Sequence, residues 1–360
     1  MALDEEFLNG IPTDDEVGEG TFDDETLFKE YRCVADKGQS PLRVDKFLVE
    51  HIAHMSRNKI QQAADAGSLS VNGCPVKSNY KVKPCDVVTV TMDTPAYDNT
   101  IIPEDIPLDV VYEDKDLMVI NKPAGLVVHP GCGNTHGTLI NAIAWHLRGN
   151  SDFDPNDPQV GLVHRIDKNT SGLLVVAKTP YAKAHLGMQF FKKTTKRTYN
   201  AVVWGRVKED AGTIEGNITR NPRNRLQMCV SDDPMVGKSA VTHYRVLERM
   251  SYVSLVECNL ETGRTHQIRV HMKHIGHTLF SDDCYGGDEI LKGTHFSKYS
   301  QFVRNCFKMC PRQALHAKTL GFVHPTTGEE MYFDSQLPQD FTNLVEAWRV
   351  YSASSASYTD

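Results

Sequence analysis

GLVHRIDKNTSGLLVVAK, residues 161–178, runs a short apolar strand into the polar loop HRIDKNTSG and returns at once to a strongly apolar strand, LLVVAK. A loop clamped between two sheet elements presents its side chains rigidly. Asp167, two residues after Arg165 and followed by Thr170, Ser171 and Gly172, is thus a carboxylate held among donors, as a nucleophile or general base has to be. On its own, an Asp before Asn-Thr-Ser-Gly reads as a turn residue bonded to Thr170 or Ser171. The neighbouring motifs shift the weight toward chemistry.

From about Leu108 to Trp348 the same strand-rich texture continues. DLMVINKPAG, TYNAVVWG, THYRVLE, YVSLVECNLET and MYFDSQ are short β-branched or aromatic runs bounded by Gly, Pro, Asn or Asp, and such runs read as strands. THGTLINAIAWHL and PYAKAHLGMQFFK are amphipathic and read as helices between them. The expected class is α+β, with a large mixed, mainly antiparallel sheet and flanking helices. No repeat of solenoid or propeller period appears.

Upstream lies a smaller unit, residues 31–91. LRVDKFLVEHI places Leu42, Val44, Phe47, Leu48 and Ile52 near helical spacing, and Ser56 is a suitable N-cap for RNKIQQAADA, which Gly67 ends. LSVNG is then a strand entering an Asn72-Gly73 turn, and VVTV a second strand. Residues 92–107, with three prolines and no periodicity, read as a linker; 108–348 form the main domain and 349–360 a C-terminal tail.

The net charge of −7 over 360 residues hides a segregation. Residues 1–30 hold eleven carboxylates against Lys29 alone, so the remaining chain nets +3. Those thirty residues lack apolar periodicity and are expected to be a disordered acidic tail. From Lys168 to Lys208 there are nine basic residues, among them Lys192, Lys193, Lys196 and Arg197, and no Asp or Glu. A solvated helix face would intersperse acids, so this is the footprint of a phosphate-facing surface. Nine scattered cysteines without a C-x-x-C pair exclude a disulfide framework and a zinc knuckle. No apolar run approaches the roughly 18 residues of a membrane span, and the acidic start has no signal-peptide pattern, so a soluble cytoplasmic protein is expected.

A second constellation is LETGRTHQIRVHMKHIGH, residues 260–277, in which Arg264 and Arg269 flank Gln267 at a turn-to-helix transition. A guanidinium fork matches two carboxylate oxygens, so either arginine is a candidate partner for Asp167. The segment also supports a metal-dependent nuclease, through His271, His274 and His277 with Asp282 and Asp283 close by. However, i, i+3 and i+6 drift round a helix, so the outer pair is splayed by about 120°, and no metal is expected. Third, KRTYNAVVWG, residues 196–205, starts a strand with Tyr199 straight after a basic run, where a ring is placed to stack on a base. VINKPAGLVVHP and RQALHAKTLGF resemble neither a Walker loop nor a dinucleotide fingerprint, so no nucleotide cofactor is expected.

The order NKPAG, HRIDKNTSG, KRTYNAVVWG, TGRTHQIRVH and RQALHAKTLGF, over about 200 residues, resembles the RluA/RluD family of RNA pseudouridine synthases. The motifs of residues 42–90, R-x-D-x-F-L, S-R-x-x-I and V-x-x-x-D-x-V, are similar to the alpha-L RNA-binding domain first known from a small-subunit ribosomal protein. The resemblance implies a pseudouridine synthase fold behind an alpha-L domain. It places the catalytic carboxylate on Asp167, the uracil-stacking tyrosine on Tyr199, the arginine paired with the carboxylate on Arg269, and the arginine that fills the vacated space on Arg165. Arg264, Lys192, Lys193, Lys196, Arg197 and, in the alpha-L domain, Arg43, Arg57 and Lys59 are the expected RNA contacts. Ile166 stands where Leu is usual, and the stretch from Asp288 to Pro311 looks extended, as an added RNA contact would.

The implied reaction turns uridine into pseudouridine, with Asp167 acting as nucleophile or as a base forming a glycal. It consumes no cofactor and needs one acid rather than the two of a glycoside hydrolase. The target base must leave its stack, so a basic platform and an aromatic floor suit it. The implied partner is large-subunit ribosomal RNA or the assembling subunit, met by a monomer. The competing reading is a non-catalytic RNA-binding assembly factor, against which Asp167, Tyr199 and Arg269 speak.

Overall fold

The computed structural model describes residues 26–52, 57–65, 67–95, 101–129, 136–150, 161–222, 224 and 227–356. The chain divides into two units, one lying within 21–99 and the other carrying everything from 101 onward that is described.

The N-terminal unit contains β1 (Thr26–Val34), β2 (Leu42–Arg43), α1 (Val44–His51), α2 (Arg57–Asp65), β3 (Leu69–Val71), β4 (Cys74–Pro75), β5 (Lys81–Val82) and β6 (Val87–Pro95). The helical spacing of Val44, Phe47 and Leu48 turns these side chains to one face, where they are buried with Ile60, Leu69, Val71, Val82, Val88 and Val90. Asn72 at φ +51° and Gly73 at φ +81° form the tight reversal between β3 and β4 that the Asn-Gly pair predicts. Gly67, at φ +76°, follows α2. The expected Ser56 cap lies outside the described residues, as does the expected disorder of residues 1–25. Two boundaries differ from the sequence reading. β1 begins at Thr26, inside the stretch read as tail, and β6 runs to Pro95, inside the stretch read as linker. The two strands pair with each other in continuous antiparallel register, from Thr26↔Pro95 to Val34↔Val87. Each half gains its hydrogen bonds from a partner about sixty residues away, which local composition does not reveal.

The larger unit contains β7 (Val110–Glu113), β8 (Leu117–Lys122), α3 (Leu139–Leu147), β9 (Ser171–Ala177), α4 (Pro180–Phe191), β10 (Lys196–Trp204), β11 (Ala211–Arg220), β12 (Met228–Ser231), β13 (Lys238–Met250), β14 (Val253–Leu260), α5 (Gln267–His274), α6 (Ser297–Met309), β15 (Leu315–Val323), β16 (Glu330–Asp334) and α7 (Gln339–Ala356). Its sheet runs β12-β11-β13-β14-β10-β15-β9-β8-β7, with β16 also on β15. The pairings are antiparallel except at β15–β9, where His316↔Ser171 and Ala317↔Gly172 run parallel. Gly172, at φ +115°, makes that junction possible, because a β-carbon there would fall 2.2 Å from the Ala317 carbonyl oxygen.

Both sheet faces are covered, so the central strands are apolar on both sides. On one face Met118, Ile120, Leu174, Val176, Ala201 and Val203 pack with α3 and with Ile268 and Met272 of α5. On the other, Val202, Trp204 and Phe280 pack with Tyr299, Val303 and Cys306 of α6 and with Phe341, Leu344 and Trp348 of α7. Each such buried large side chain contributes about 1.5–3 kcal/mol. Within the segment 288–311, whose extension reads as an added RNA contact, α6 gives Tyr299, Val303 and Cys306 to the core. Residues 349–356, read as tail, continue α7, and Tyr351 stacks on Phe302 with ring centroids 4.5 Å apart. Among the described residues no helix is long and apolar enough to cross a membrane.

Candidate active site

The loop before β9 is tied down from two sides, which explains how a polar segment between apolar strands keeps one shape. Lys122, at the end of β8, is fully buried. Its Nζ donates to the carbonyls of Pro123 and Leu126 at 2.8 Å and of Lys168 at 2.9 Å. Burial pushes this amine down to about 7, while the nearby charge of Asp167 opposes the shift; three carbonyl acceptors at once suit an ammonium, which has three donors. From the other side Arg312, itself held by Asp340 at 2.7 and 3.0 Å, donates to the carbonyl of Asn169 at 3.1 Å. Within the loop, the Thr170 amide donates to the Asp167 carbonyl at 3.0 Å. The Asp167 carboxylate itself is left facing outward, with 21% of its side chain exposed.

Arg269 reaches it from α5. Gln267 accepts from the Arg264 amide at 3.0 Å and the Thr262 hydroxyl at 2.7 Å, and donates to the Val241 carbonyl and the Thr242 hydroxyl at 3.0 Å. The start of the helix is thereby pinned to β13, and with it the position of Arg269 two residues on. Arg269 is 5% exposed. Its Nη1 donates to Asp167 at 3.0 Å, and its Nε and Nη2 donate to Asp282 at 2.7 and 2.8 Å. Tyr285 lies under the guanidinium, 5.0 Å away, with its hydroxyl bonded to the Met228 amide and His266 Nδ1. Burial works against Arg269's charge, but Asp282 and Asp167 outweigh it and raise the group above its ordinary value.

Tyr199 sits on β10, 7% exposed, within electrostatic range of Asp167. Burial raises its phenol, Arg197 counters that and Asp167 adds to it. The structure therefore brings together Asp167, Tyr199 and Arg269.

The other expected residues are placed differently. Arg165 is exposed next to this cluster in sequence. Arg264 does not pair with Asp167; its Nε donates to the Ser239 carbonyl at 3.1 Å. Lys192 and Lys193 are exposed, and Lys196 leans to Glu330 at 3.9 Å. Arg197 is buried rather than presented to solvent, packing at 5.2 Å over Phe190. In the N-terminal unit, Arg43 and Arg57 are half-exposed, and both bond the buried Asp45, at 3.0 and 2.9 Å. The Lys59 side chain lies outside the described residues. Two residues of the cluster were missed: Asp282, read only as a possible metal ligand, and Lys122, whose signal was the charged residue ending an otherwise apolar strand before Pro-Ala-Gly.

His271, His274 and His277 do not converge: His271 bonds Thr242 and His277 bonds the Trp204 carbonyl. Among the described residues one group, Asp114, Asp116 and His324, has ligand spacing. His324 Nδ1 accepts from the amides of Thr326 and Thr327 at 3.2 and 3.1 Å, which assigns its proton to Nε2, donated to Asp114 at 2.8 Å. A metal on Nε2 would require an imidazolate, so the group is a hydrogen-bonded pair.

Comparison with known proteins fits this geometry. Residues 116–274 match the family model described as RNA pseudouridylate synthase, and 42–88 match the S4 domain. An "Uncharacterized RNA pseudouridine synthase" of Chlorobaculum parvum is 46% identical over 323 residues, covering 89% of this chain and 98% of its own length. The "Ribosomal large subunit pseudouridine synthase D" of Zymomonas mobilis is 42% identical over 306 residues, covering 84% and 92%. The solved structure of Human RNA Pseudouridylate Synthase Domain Containing 4 is 24% identical with a TM-score of 0.50, covering 67% of this chain and 92% of its own, a likeness of fold. The chain belongs to the RNA pseudouridine synthase family and carries an S4 RNA-binding domain.

Proposed function

We propose, with membership of that family as the premise, that this enzyme isomerises uridines of large-subunit ribosomal RNA and that Asp167 is the carboxylate that acts at the ribose or the ring. The observation that carries the reading is the ion pair between half-buried Asp167 and buried Arg269 at 3.0 Å, on a loop anchored by Lys122 and Arg312. A single rigidly held acid beside a tyrosine suits a reaction that moves one glycosidic bond and consumes nothing.

In this reading the target uridine leaves its stack and seats its base on Tyr199, and Arg165, exposed on the same loop, fills the space vacated. Lys192, Lys193 and the arginines of the S4 domain, Arg43 and Arg57, hold the RNA backbone, which is recognised by shape and charge. Asp45, bonded to both arginines, limits the conformations they must give up on binding. The large-subunit target rests on the name of the Zymomonas relative. We further propose that the enzyme works as a monomer in the cytoplasm and without a metal or nucleotide cofactor.

The test is Asp167→Asn, assayed by release of tritium from ribosomal RNA labelled at uridine carbon 5. The variant is expected to bind RNA and release none; retained release would remove Asp167 from the mechanism. Mapping pseudouridines in ribosomal RNA from cells lacking the protein identifies the target.

A further inference from the structure

Arg197 is 7% exposed, and among the described residues no carboxylate pairs with it. Its Nε is sealed from solvent without a hydrogen-bond partner. Its guanidinium packs over Phe190 at 5.2 Å and against the bare α-carbon of Gly263, where a β-carbon would come within 3.0 Å of Nη1. The His164 ring also lies on Phe190, stacked at 4.5 Å. Burial and Arg197 itself push that histidine down to about 3, so it is neutral and offers no negative charge. A buried cation left unpaired is costly, and its usual compensation is an anion or a strong acceptor.

Arg197 and Tyr199 are two apart on β10, with a shift in the β15 register between Thr198 and Tyr199, and the Phe190 ring beneath Arg197 is also stacked on His164, three residues before Asp167. Tyr199 lies within electrostatic range of both Asp167 and Arg197. Under the reading given above the base rests on Tyr199, two residues along β10 from Arg197. A backbone phosphate stays outside with the RNA helix and does not reach a residue this deeply enclosed. The everted base is the part of the substrate that enters.

We propose that Arg197 is a catalytic residue that donates to a carbonyl oxygen of the everted uracil and stabilises the negative charge of that ring once it detaches. This rests on the reading of Tyr199 and Asp167 given above. In the reaction the electron pair of the C1′–N1 bond departs with uracil, and C5 then bonds to C1′. The C5 proton passes to a base and N1 takes one up, so atoms and charge balance. The intermediate ring carries its charge over N1 and the two carbonyl oxygens, where a fixed guanidinium in a water-poor site acts most strongly.

The experiment compares wild type, Arg197→Gln and Arg197→Lys in single turnover, on RNA containing uridine or 5-fluorouridine at the target. Fluorine makes the detached ring a weaker base and a better leaving group. Uridine is followed by tritium release and 5-fluorouridine by its disappearance from nuclease digests. Arg197→Gln is expected to slow uridine turnover by about 100-fold, leave RNA affinity within a few-fold, and show a much smaller loss on 5-fluorouridine. Arg197→Lys, which keeps the charge, is expected to lose less on both, with the same ordering; it carries the comparison if the Gln variant does not fold. Equal losses on the two substrates would overturn the proposal. So would a loss confined to RNA affinity with a shallower salt dependence, which is the mark of a phosphate contact. Wild type that releases no tritium counts against the proposed function, whereas active wild type with an unaffected Gln variant counts against Arg197 alone.

Discussion

Asp282 holds Arg269 through two hydrogen bonds, 2.7 Å from Nε and 2.8 Å from Nη2, in a site where Asp282 is fully buried. That leaves Nη1 as the edge of the guanidinium available to Asp167, at 3.0 Å. The buried acid thus sets the arginine's orientation, and the arginine in turn sets where the half-buried acid points.

Removing Asp282 should therefore disturb both stability and rate. Asp282→Ala leaves a buried guanidinium half-paired and is expected to cost about 3–5 kcal/mol in urea unfolding. Asp282→Asn keeps the shape and should unfold less readily than the Ala variant, yet turn over uridine more slowly than wild type in the tritium assay. An unchanged rate in a folded Asn variant would show that Arg269 is oriented by something else.

Tyr199→Phe retains the ring that would carry the base and removes the hydroxyl. If the hydroxyl takes the proton from carbon 5, turnover should fall by about 100-fold or more with RNA affinity nearly unchanged. Turnover at the wild-type level would leave Tyr199 a stacking role alone.

Three histidines are held neutral by burial: His164 at about 3, His271 at about 4 and His316 at about 4, against an ordinary 6.5. In the unfolded chain each takes up a proton near 6.5, before the folded form does. Stability is accordingly complete above 6.5 and declines as pH falls, by up to about 1.4 kcal/mol per histidine for each pH unit until the folded value is reached. Urea midpoints measured between pH 7.5 and pH 4.5 should show this fall, and a flat profile would mean these rings are not neutral in the fold.

Ser281 stands at φ +59° just before Asp282, with its hydroxyl buried and without a partner. A left-handed conformation disfavours a residue with a β-carbon by about 1–2 kcal/mol. Ser281→Gly relieves both features and gives back about 0.5–1 kcal/mol through the freer unfolded chain. The expected outcome is a small rise in the thermal midpoint with turnover retained; a lower midpoint would mean that the serine contributes a contact not seen in this structure.

Local pattern was sufficient for a good part of the molecule. The apolar strand that follows the Asp167 loop, the helical spacing of Val44, Phe47 and Leu48, and the Asn72-Gly73 reversal all depend on neighbours in sequence, and each is where the pattern puts it, whereas the strand expected before that loop is reduced to an isolated bridge, Leu162↔Val176. The class of the larger unit, a mainly antiparallel sheet with helices, followed from the same texture. By residue type alone Arg269 and Arg264, by contrast, were equivalent partners for Asp167, and only the family resemblance favoured Arg269; which one reaches it depended on Gln267 pinning α5 to β13. Asp282 gave no signal of its own, because a carboxylate is recognised as an arginine clamp once the two are side by side. Arg197 read as part of a phosphate-facing basic run, and it was burial beneath distant Phe190 and Gly263 that made it an interior cation. The reason is physical: periodicity reports which way a side chain faces relative to its own element, whereas charge pairing and desolvation depend on which elements the fold sets next to it.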